Sequence, residues 1–472
     1  MKMNVMKTEK AVTPGELRDM RVLVVGLARS GVAACRVLRD MGVAVKATDA
    51  RAASSLGPDV TGLERLGVKL ETGGNSVDFA QDSDLVVVSP GVPLDNPVVK
   101  WAYDRGEMVM GEVELAYCLS EARFAAVSGT NGKSTTVSLL GDMVRGATDR
   151  VKVGGNIGDP ISALVAGLGP DWIAVIEVSS FQLDTSISFR PDVAVLLNIT
   201  PDHLNRYPSY EAYVRSKARL FANQAAEDVA IVNYDDPDAL RAAEGSPGRK
   251  LFFSIRRPVP EGAFVKEGRA IVRAGGRESE LFRVEDLRIP GPHNLADSLA
   301  AGLAAIALGV EAGTVRSAVR DFAGLEHRLE RVDTIAGVEF INDSKATNLD
   351  SLRCALEAVE NPVVLIAGGR DKGSDWSALS GIVGRRVSGI VAIGEARGTI
   401  EKAFSGLVEV EKADNIDQAV RAAFGKAAVG TSVLLSPGCA SFDMFTDFEH
   451  RGREFKRAVA QLKDEREGRG DG

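Results

Sequence analysis

Short runs of β-branched and aliphatic residues alternate along this chain with longer stretches in which apolar positions recur every three or four residues. The first pattern marks buried strands and the second amphipathic helices. Their alternation predicts α/β domains built on mostly parallel sheets. Strands are predicted over 21–26, 43–48 and 85–89, then over 124–128, 172–178, 193–199 and 229–233, and finally over 338–342, 363–367, 389–393 and 432–435. The stretch 250–290 alternates weakly and is rich in Gly and Arg, which reads as antiparallel β. Boundaries near 111–123 and 324–326 divide the chain into 1–113, 114–325 and 326–472. From Lys463 onward the sequence is charged and Gly-rich, and a frayed end is expected.

Composition narrows the class. The 472 residues are 45% hydrophobic and 26% charged, the balance of a globular protein, and suit about three domains. A net charge of −8 gives no basic surface for nucleic acid. The longest apolar run, 299–310, is 12 residues, short of the roughly 18 a membrane span requires. Residues 1–20 lack the apolar core of a signal peptide, and Cys35, Cys118, Cys354 and Cys439 lie far apart without CxxC spacing. A reducing cytoplasm is the expected location. With only four histidines, a zinc site built on several of them is hard to assemble.

The strongest chemical signal is Val127-Ser-Gly-Thr-Asn-Gly-Lys-Ser-Thr-Thr136, between a predicted strand and a predicted helix. Such a turn presents backbone N–H groups and a helix N-terminus to an anion. Lys133 reaches terminal phosphates and the Ser134 hydroxyl can ligate Mg²⁺. Val127 stands where the usual motif opens with glycine, yet an ATP site remains the better reading than a bare turn. Gly26-Leu-Ala-Arg-Ser-Gly31, with Asp49 ending the next strand, is close to a dinucleotide fingerprint. Ala28 replaces the glycine that lets a pyrophosphate approach, which favours another nucleotide over NAD(P). In an open α/β sheet functional groups collect at strand C-termini. Glu177, and His203 in Asn198-Ile-Thr-Pro-Asp-His-Leu-Asn205, stand at such ends and could serve an Mg–ATP site. Composition alone reads Lys217 as a solvated helix-face charge. Three more polar turns follow strands: Asn342-Asp-Ser-Lys345-Ala-Thr-Asn348, Gly368-Gly-Arg-Asp-Lys372-Gly and Ser436-Pro-Gly-Cys-Ala-Ser441. Their shared placement suits an anionic ligand.

Taken in order, Ser128-Gly-Thr-Asn-Gly-Lys-Ser-Thr, Gly154-Gly-Asn-Ile-Gly, Glu177-Val-Ser-Ser-Phe-Gln-Leu and Asp202-His-Leu-Asn-Arg-Tyr resemble the Mur ligases of peptidoglycan synthesis. The third-block motifs, with His327-Arg, are similar to the D-glutamate-adding branch of that family. The resemblance runs from about 21 to about 456. It implies an α/β protein of three domains: a Rossmann-like N-terminal domain holding a UDP-sugar, a P-loop ATP-binding central domain and a Rossmann-like C-terminal domain receiving the amino acid. The implied reaction is ATP-dependent addition of D-glutamate to UDP-N-acetylmuramoyl-L-alanine, by a cytoplasmic monomer with no nucleic-acid or membrane partner. A free carboxylate is a poor electrophile, so ATP activates it as an acyl phosphate. The amine then attacks, and a tetrahedral intermediate expels phosphate. Positive charge must gather at the transferring phosphoryl group, and water must be excluded, so domain closure is expected.

Residue by residue, the resemblance assigns Gly129, Thr130, Asn131, Gly132, Lys133, Ser134, Thr135, Asn294, Arg328 and Asp343 to ATP. Gly26, Ala28, Arg29, Ser30, Asp49, Arg51, Ser89 and Gly91 fall to the UDP-sugar. Lys345, Thr347, Lys372, Ser441 and Phe448 match positions that hold D-glutamate. Lys133, Asn156, Glu177, His203 and Lys217 are the implied catalytic set. Ser134, Glu177, His203 and a carbamylated Lys217 are the implied metal ligands. Two departures stand out. Asn205 occupies a position where aspartate is common, and the interval from His203 to Lys217 is one residue short. Alternatives are another Mur ligase, a folylpolyglutamate synthase, an NAD(P)-dependent oxidoreductase or an inactive nucleotide-binding regulator. The first domain argues against the folate enzyme, and Lys133 with the third-block cluster is left unexplained by the oxidoreductase.

Overall fold

The computed structural model describes residues 10–202, 206–371 and 373–467. It forms two compact units. One runs to Asp286 and includes Ala296–Arg320; the other comprises Leu287–Leu295 and the chain from Asp321 onward.

Within the first unit, β1 (Arg21–Val25), β2 (Ala44–Asp49), β3 (Lys69–Thr72), β4 (Leu85–Val88) and β5 (Met108–Gly111) form a wholly parallel sheet in the order β3-β2-β1-β4-β5. This is a doubly wound arrangement whose strand order reverses between β1 and β4, so the turns after those strands flank the crevice where such sheets bind ligands. Leu23, Val24 and Val25 of β1 and Val86, Val87 and Val88 of β4 are buried, as expected where helices cover both faces.

The second sheet contains β6 (Arg123–Ser128), β7 (Val151–Gly155), β8 (Ile173–Glu177), β9 (Val193–Leu196), β10 (Val229–Asn233), β11 (Arg249–Ser254), β12 (Gly262–Lys266), β13 (Arg269–Ala274) and β14 (Arg277–Arg283). Its order is β14-β13-β12-β11-β10-β9-β6-β8-β7, and it is parallel from β7 through β12. The chain order reverses at β6 and β9. Tyr117, Phe124 and Phe189 pack mutually edge-to-face beneath it, at centroid distances of 5.7 to 5.9 Å.

The stretch expected to be antiparallel is only partly so. The helix Pro237–Ala242 intervenes between β10 and β11 and returns the chain for parallel pairing. The antiparallel strands β12–β14 are joined by two-residue turns, Glu267-Gly268 and Gly275-Gly276, with positive φ at all four residues, the hairpin geometry that suits strand twist.

In the second unit, β15 (Glu330–Ile335), β16 (Val338–Asn342), β17 (Val363–Gly368), β18 (Val387–Ile393), β19 (Val410–Lys412) and β20 (Ser432–Leu435) are ordered β15-β16-β20-β17-β18-β19, and only β15 is antiparallel. The chain expected to fray from Lys463 is helical as far as Glu467, because the helix Phe448–Glu467 buries Phe455, Val459 and Leu462 against this sheet.

Candidate active site

The Gly-rich turn after β6 passes directly into the helix Lys133–Arg145. Gly132 has φ +85°, and a Cβ there would lie 2.2 Å from Asp297 Oδ1, so the turn is closed to any larger residue. Lys133 folds its ammonium over the turn, where Nζ donates to the carbonyls of Gly129 and Thr130, each at 2.9 Å. Thr135 is buried on the first turn of the helix.

The turn is pinned from β9. Asn198 Oδ1 accepts from the backbone N–H groups of Thr130 (3.1 Å) and Asn131 (2.9 Å), and its Nδ2 donates to the Asn131 carbonyl at 3.1 Å. The Thr130 hydroxyl lies 3.1 Å from Tyr213 OH. Neither Asn198 nor Tyr213 was singled out from sequence. The available signal for Asn198 was a polar residue directly after an apolar strand, beside the reversal of strand order.

Glu177, at the end of β8, is buried, and both its oxygens are engaged. Ser134 Oγ donates to Oε2 at 2.7 Å and Asn156 Nδ2 to Oε1 at 2.8 Å. Gly155 permits this approach: its φ is +113°, and an added Cβ would sit 2.5 Å from the Glu177 carbonyl. The hydroxyl and carboxylate are hard oxygen donors, a pair that suits Mg²⁺.

Lys217 corrects the compositional reading. It is 1% exposed, not solvated. Its Nζ donates to the Gly129 carbonyl at 2.8 Å and lies 4.8 Å from the centroid of Tyr213. Burial pushes its pKa well below the usual lysine value, and the charge of Lys133 pushes it further down. Asp202, Glu177 and Asp184 oppose the shift. Lys133, Ser134, Asn156, Glu177 and Lys217 are therefore gathered around one turn. His203 lies outside the described residues, as do Asn205 and Lys372.

At the switch point of the first sheet, Ser89 Oγ donates to the Gly26 carbonyl at 2.6 Å, which ties the two flanking turns together. Gly26 has φ +90°, and an added Cβ at Gly31 would lie 1.9 Å from the Gly26 carbonyl. Asp49 supports the turn: its Oδ2 accepts from the Leu27 N–H at 2.7 Å and its carboxylate pairs with Arg51 at 2.8 Å. Burial acts to raise the Asp49 pKa, but Arg51 and the backbone donors outweigh it and hold the value below the ordinary one. Ala28 precedes the helix Arg29–Asp40, which begins with Arg29 and Ser30. Arg29 Nη2 donates to the Gly158 carbonyl, in the loop that carries Asn156. Gly91 lies in the turn after Ser89, and its carbonyl is approached by Arg206.

In the second unit the three polar turns after β16, β17 and β20 interlock. Gly368 N–H donates to the Pro437 carbonyl at 2.8 Å, Arg370 N–H to Ala440 at 2.9 Å and Gly438 N–H to Ala346 at 2.9 Å. The buried Arg451 joins them, donating to the carbonyls of Ser344 (2.8 Å) and Cys439 (3.1 Å). Lys345 Nζ lies 3.7 Å from the Phe448 ring centroid, and Ser441 is buried nearby in sequence. Thr347 is half-buried in the same turn. Asp343 accepts from Ser436 Oγ at 2.8 Å. Burial pushes its pKa up to about 7 against the opposing pull of Ser436 and Arg328. Asn294 Nδ2 donates to the Pro290 carbonyl at 2.6 Å. The adjacent His293 is pushed down to about 4 by burial, with Arg328 acting in the same direction.

Three family models match: the Mur ligase MurD-like N-terminal domain over 20–111, the Mur ligase middle domain over 127–305 and the Mur ligase glutamate ligase domain over 327–439. Among curated relatives, the UDP-N-acetylmuramoylalanine–D-glutamate ligase of Acidobacterium capsulatum is 45% identical over 94% of this chain and 97% of its own length. The enzyme of that name from Caldanaerobacter subterraneus subsp. tengcongensis is 42% identical over 95% of this chain and 100% of its own. Among solved structures, the fold is shared with the UDP-N-acetylmuramate-alanine ligase of Thermotoga maritima (TM-score 0.60, 18% identity, 94% of this chain and 100% of that one). It is shared equally with a type C pseudomurein peptide ligase from Methanothermus fervidus (TM-score 0.60, 16% identity, with the same coverage). No helix among the described residues is long and apolar enough to cross a membrane.

Proposed function

Since the chain belongs to the Mur ligase family, we infer that it joins D-glutamate to UDP-N-acetylmuramoyl-L-alanine at the expense of ATP, in peptidoglycan precursor synthesis. The observation that carries this reading is the convergence of Lys133, Ser134, Asn156, Glu177 and Lys217 on one phosphate-type turn, in a chain whose near-full-length relatives bear that name. In this reading 1–113 holds the UDP-sugar, 114–325 holds ATP and 326–472 receives D-glutamate.

The turn's backbone N–H groups and the N-terminus of the helix Lys133–Arg145 bind the phosphates, and Lys133 adds a cation at the transferring group. Ser134 and Glu177 are the groups that would hold Mg²⁺, which supplies charge neutralisation during phosphoryl transfer. Asn156 fixes one oxygen of Glu177, orienting the other toward Ser134. The nucleophile of the first step is the alanyl carboxylate. It attacks the γ-phosphorus, ADP leaves, and an acyl phosphate forms. The unprotonated amine of D-glutamate then adds to the acyl carbon, loses a proton, and phosphate departs. Lys345, whose Nζ lies over the Phe448 ring, supplies positive charge suited to a dicarboxylic amino acid. Burial favours the neutral amine of Lys217, the form that adds CO₂: nitrogen bonds carbon, a proton leaves, and an anionic carbamate results.

The test is phosphate release from ATP with UDP-N-acetylmuramoyl-L-alanine, comparing D-glutamate, L-glutamate and meso-diaminopimelate. Release with D-glutamate alone, with a product heavier by one glutamyl unit, is expected. Release with another amine moves the specificity within the family, and release with none overturns the ligase reading.

A further inference from the structure

Arg206 lies between β9 and Lys217, and its guanidinium touches two other pieces of the first unit. Nη2 donates to the Val92 carbonyl at 3.0 Å, and Nη1 reaches the Gly91 carbonyl at 3.4 Å. Its plane covers Phe181, with Cζ 4.1 Å from the ring centroid. Phe181 stacks on Tyr207 at 5.9 Å, and Tyr207 packs against Tyr213 at 5.4 Å. Tyr207 OH donates to Asp184 at 2.7 Å and lies 3.1 Å from Ser216 Oγ, next to Lys217. One side chain thus joins the turn after β4, the short helix that follows Glu177 and the segment leading to Lys217.

The chemistry of the contacts is informative. Among the described residues no carboxylate pairs with Arg206. Its planar fork is used on two neutral carbonyls and its flat face on a ring. A lysine ammonium could reach a carbonyl or sit over the ring, but it lacks the planar fork that bonds both carbonyls while its flat face covers the ring. Shape, rather than charge, is what the position uses.

We propose that Arg206 is a positioning residue that locks the segment 206–217 to the turn after β4, so that the nucleotide sugar bound at that turn and the groups around Glu177 and Lys217 keep one register. This rests on the ligase reading, which assigns Ser89 and Gly91 to the UDP-sugar. A free energy of binding spent on ordering this joint emerges as a weaker KM for the sugar substrate when the joint is cut. The phosphate turn is held independently by Asn198, so the KM for ATP is unaffected.

The experiment compares Arg206→Ala and Arg206→Lys with wild type, using steady-state kinetics in each substrate and hydrogen exchange on the free enzyme. Both variants are expected to raise the KM for UDP-N-acetylmuramoyl-L-alanine by roughly tenfold or more, with the KM for ATP within about twofold. Exchange across 85–96 accelerates in Arg206→Ala while exchange across 123–145 does not. Full recovery of the sugar KM in Arg206→Lys would make the group a direct anion ligand and overturn the proposal. So would unchanged exchange across 85–96, or a parallel loss in both KM values. If wild type releases no phosphate with D-glutamate, the ligase reading falls, and the exchange comparison still decides what Arg206 holds.

Discussion

Replacing Asn198 with alanine cuts the three side-chain hydrogen bonds by which it holds the phosphate turn, leaving the backbone bonds Thr130 N–H to Asn198 carbonyl (2.9 Å) and Leu197 N–H to Ser128 carbonyl (3.0 Å). Of these, the bond to Thr130 N–H is shared with the retained Asn198 carbonyl, while the other two satisfy the N–H and the carbonyl of Asn131. A typical net hydrogen bond contributes about 1 kcal/mol, and solvent entering the gap recovers part of the loss, so about 2–3 kcal/mol is expected overall. In a unit of this size that lowers Tm by on the order of 5 °C. The functional consequence is larger for ATP than for the other substrates, because the turn loses its preformed shape and must be ordered by the ligand. If about 2 kcal/mol of that ordering falls on ATP, its KM rises roughly thirtyfold, with the KM for D-glutamate within about twofold. Asn198→Asp separates shape from charge: it keeps the acceptor for Thr130 and Asn131 and removes the donor to Asn131. The assays are calorimetry and coupled phosphate release with ATP varied. A Tm within about 1 °C of wild type together with an unchanged ATP KM would refute the assignment of Asn198 as the brace.

Other expectations follow from the same geometry. Gly132→Ala places a methyl 2.2 Å from Asp297 Oδ1 at φ +85°, so ATP KM rises by roughly a hundredfold or more while the UDP-sugar still binds, as calorimetry of the two ligands separately can check. Lys217→Met should abolish most turnover yet raise Tm at neutral pH. The lysine's lowered native pKa means the unfolded chain binds the extra proton, so native Lys217 costs stability at pH 7, and that cost shrinks as pH rises toward the usual lysine value. A Tm gain that does not shrink between about pH 7 and 10 would contradict the buried neutral amine. For Asp343 the sign is opposite in pH. Its native pKa is raised to about 7, so the native state holds a proton the unfolded chain has released, and stability falls as pH rises from the ordinary aspartate value to about 7. Asp343→Asn should flatten that slope, measured as Tm of the variant and wild type across the same range.

The parts of this architecture that could be read from sequence are those written in continuous apolar runs. β1, β4, β9, β10 and β20 are four- or five-residue strands whose three or four aliphatic residues are buried and show as an unbroken run. β3, β7 and β19 do not. They are short or carry Lys, Glu and Gly at half-exposed positions, because an edge strand needs only one buried face and often displays charge. The pairing of β11 was misread for a different reason. Parallel or antiparallel registry depends on what the connection does, and the helix Pro237–Ala242 is too short to announce itself through periodicity.

The candidate site divides along the same physical line. Residues that face the ligand advertise themselves through chemistry and spacing: Lys133 and Ser134 in a Gly-rich turn, and Glu177 at a strand end. Residues that hold those groups in place do so by contacts between segments distant in sequence. Asn198 reaches a turn 67 positions earlier and Arg206 a turn 114 positions earlier. Neither distance leaves a local mark, since an asparagine after a strand or an arginine in a loop is ordinary by itself. Lys217 makes the point most sharply, because charge on a helix normally means solvent. What reverses that expectation is the closing of Gly129, Tyr213 and the β6–β9 crevice around it, a property of the sheet's crossover rather than of the helix that carries the residue. A lysine placed there is stripped of water by the fold before any ligand arrives. The same strand-order reversal that creates the phosphate turn therefore also lowers the pKa of the amine beside it.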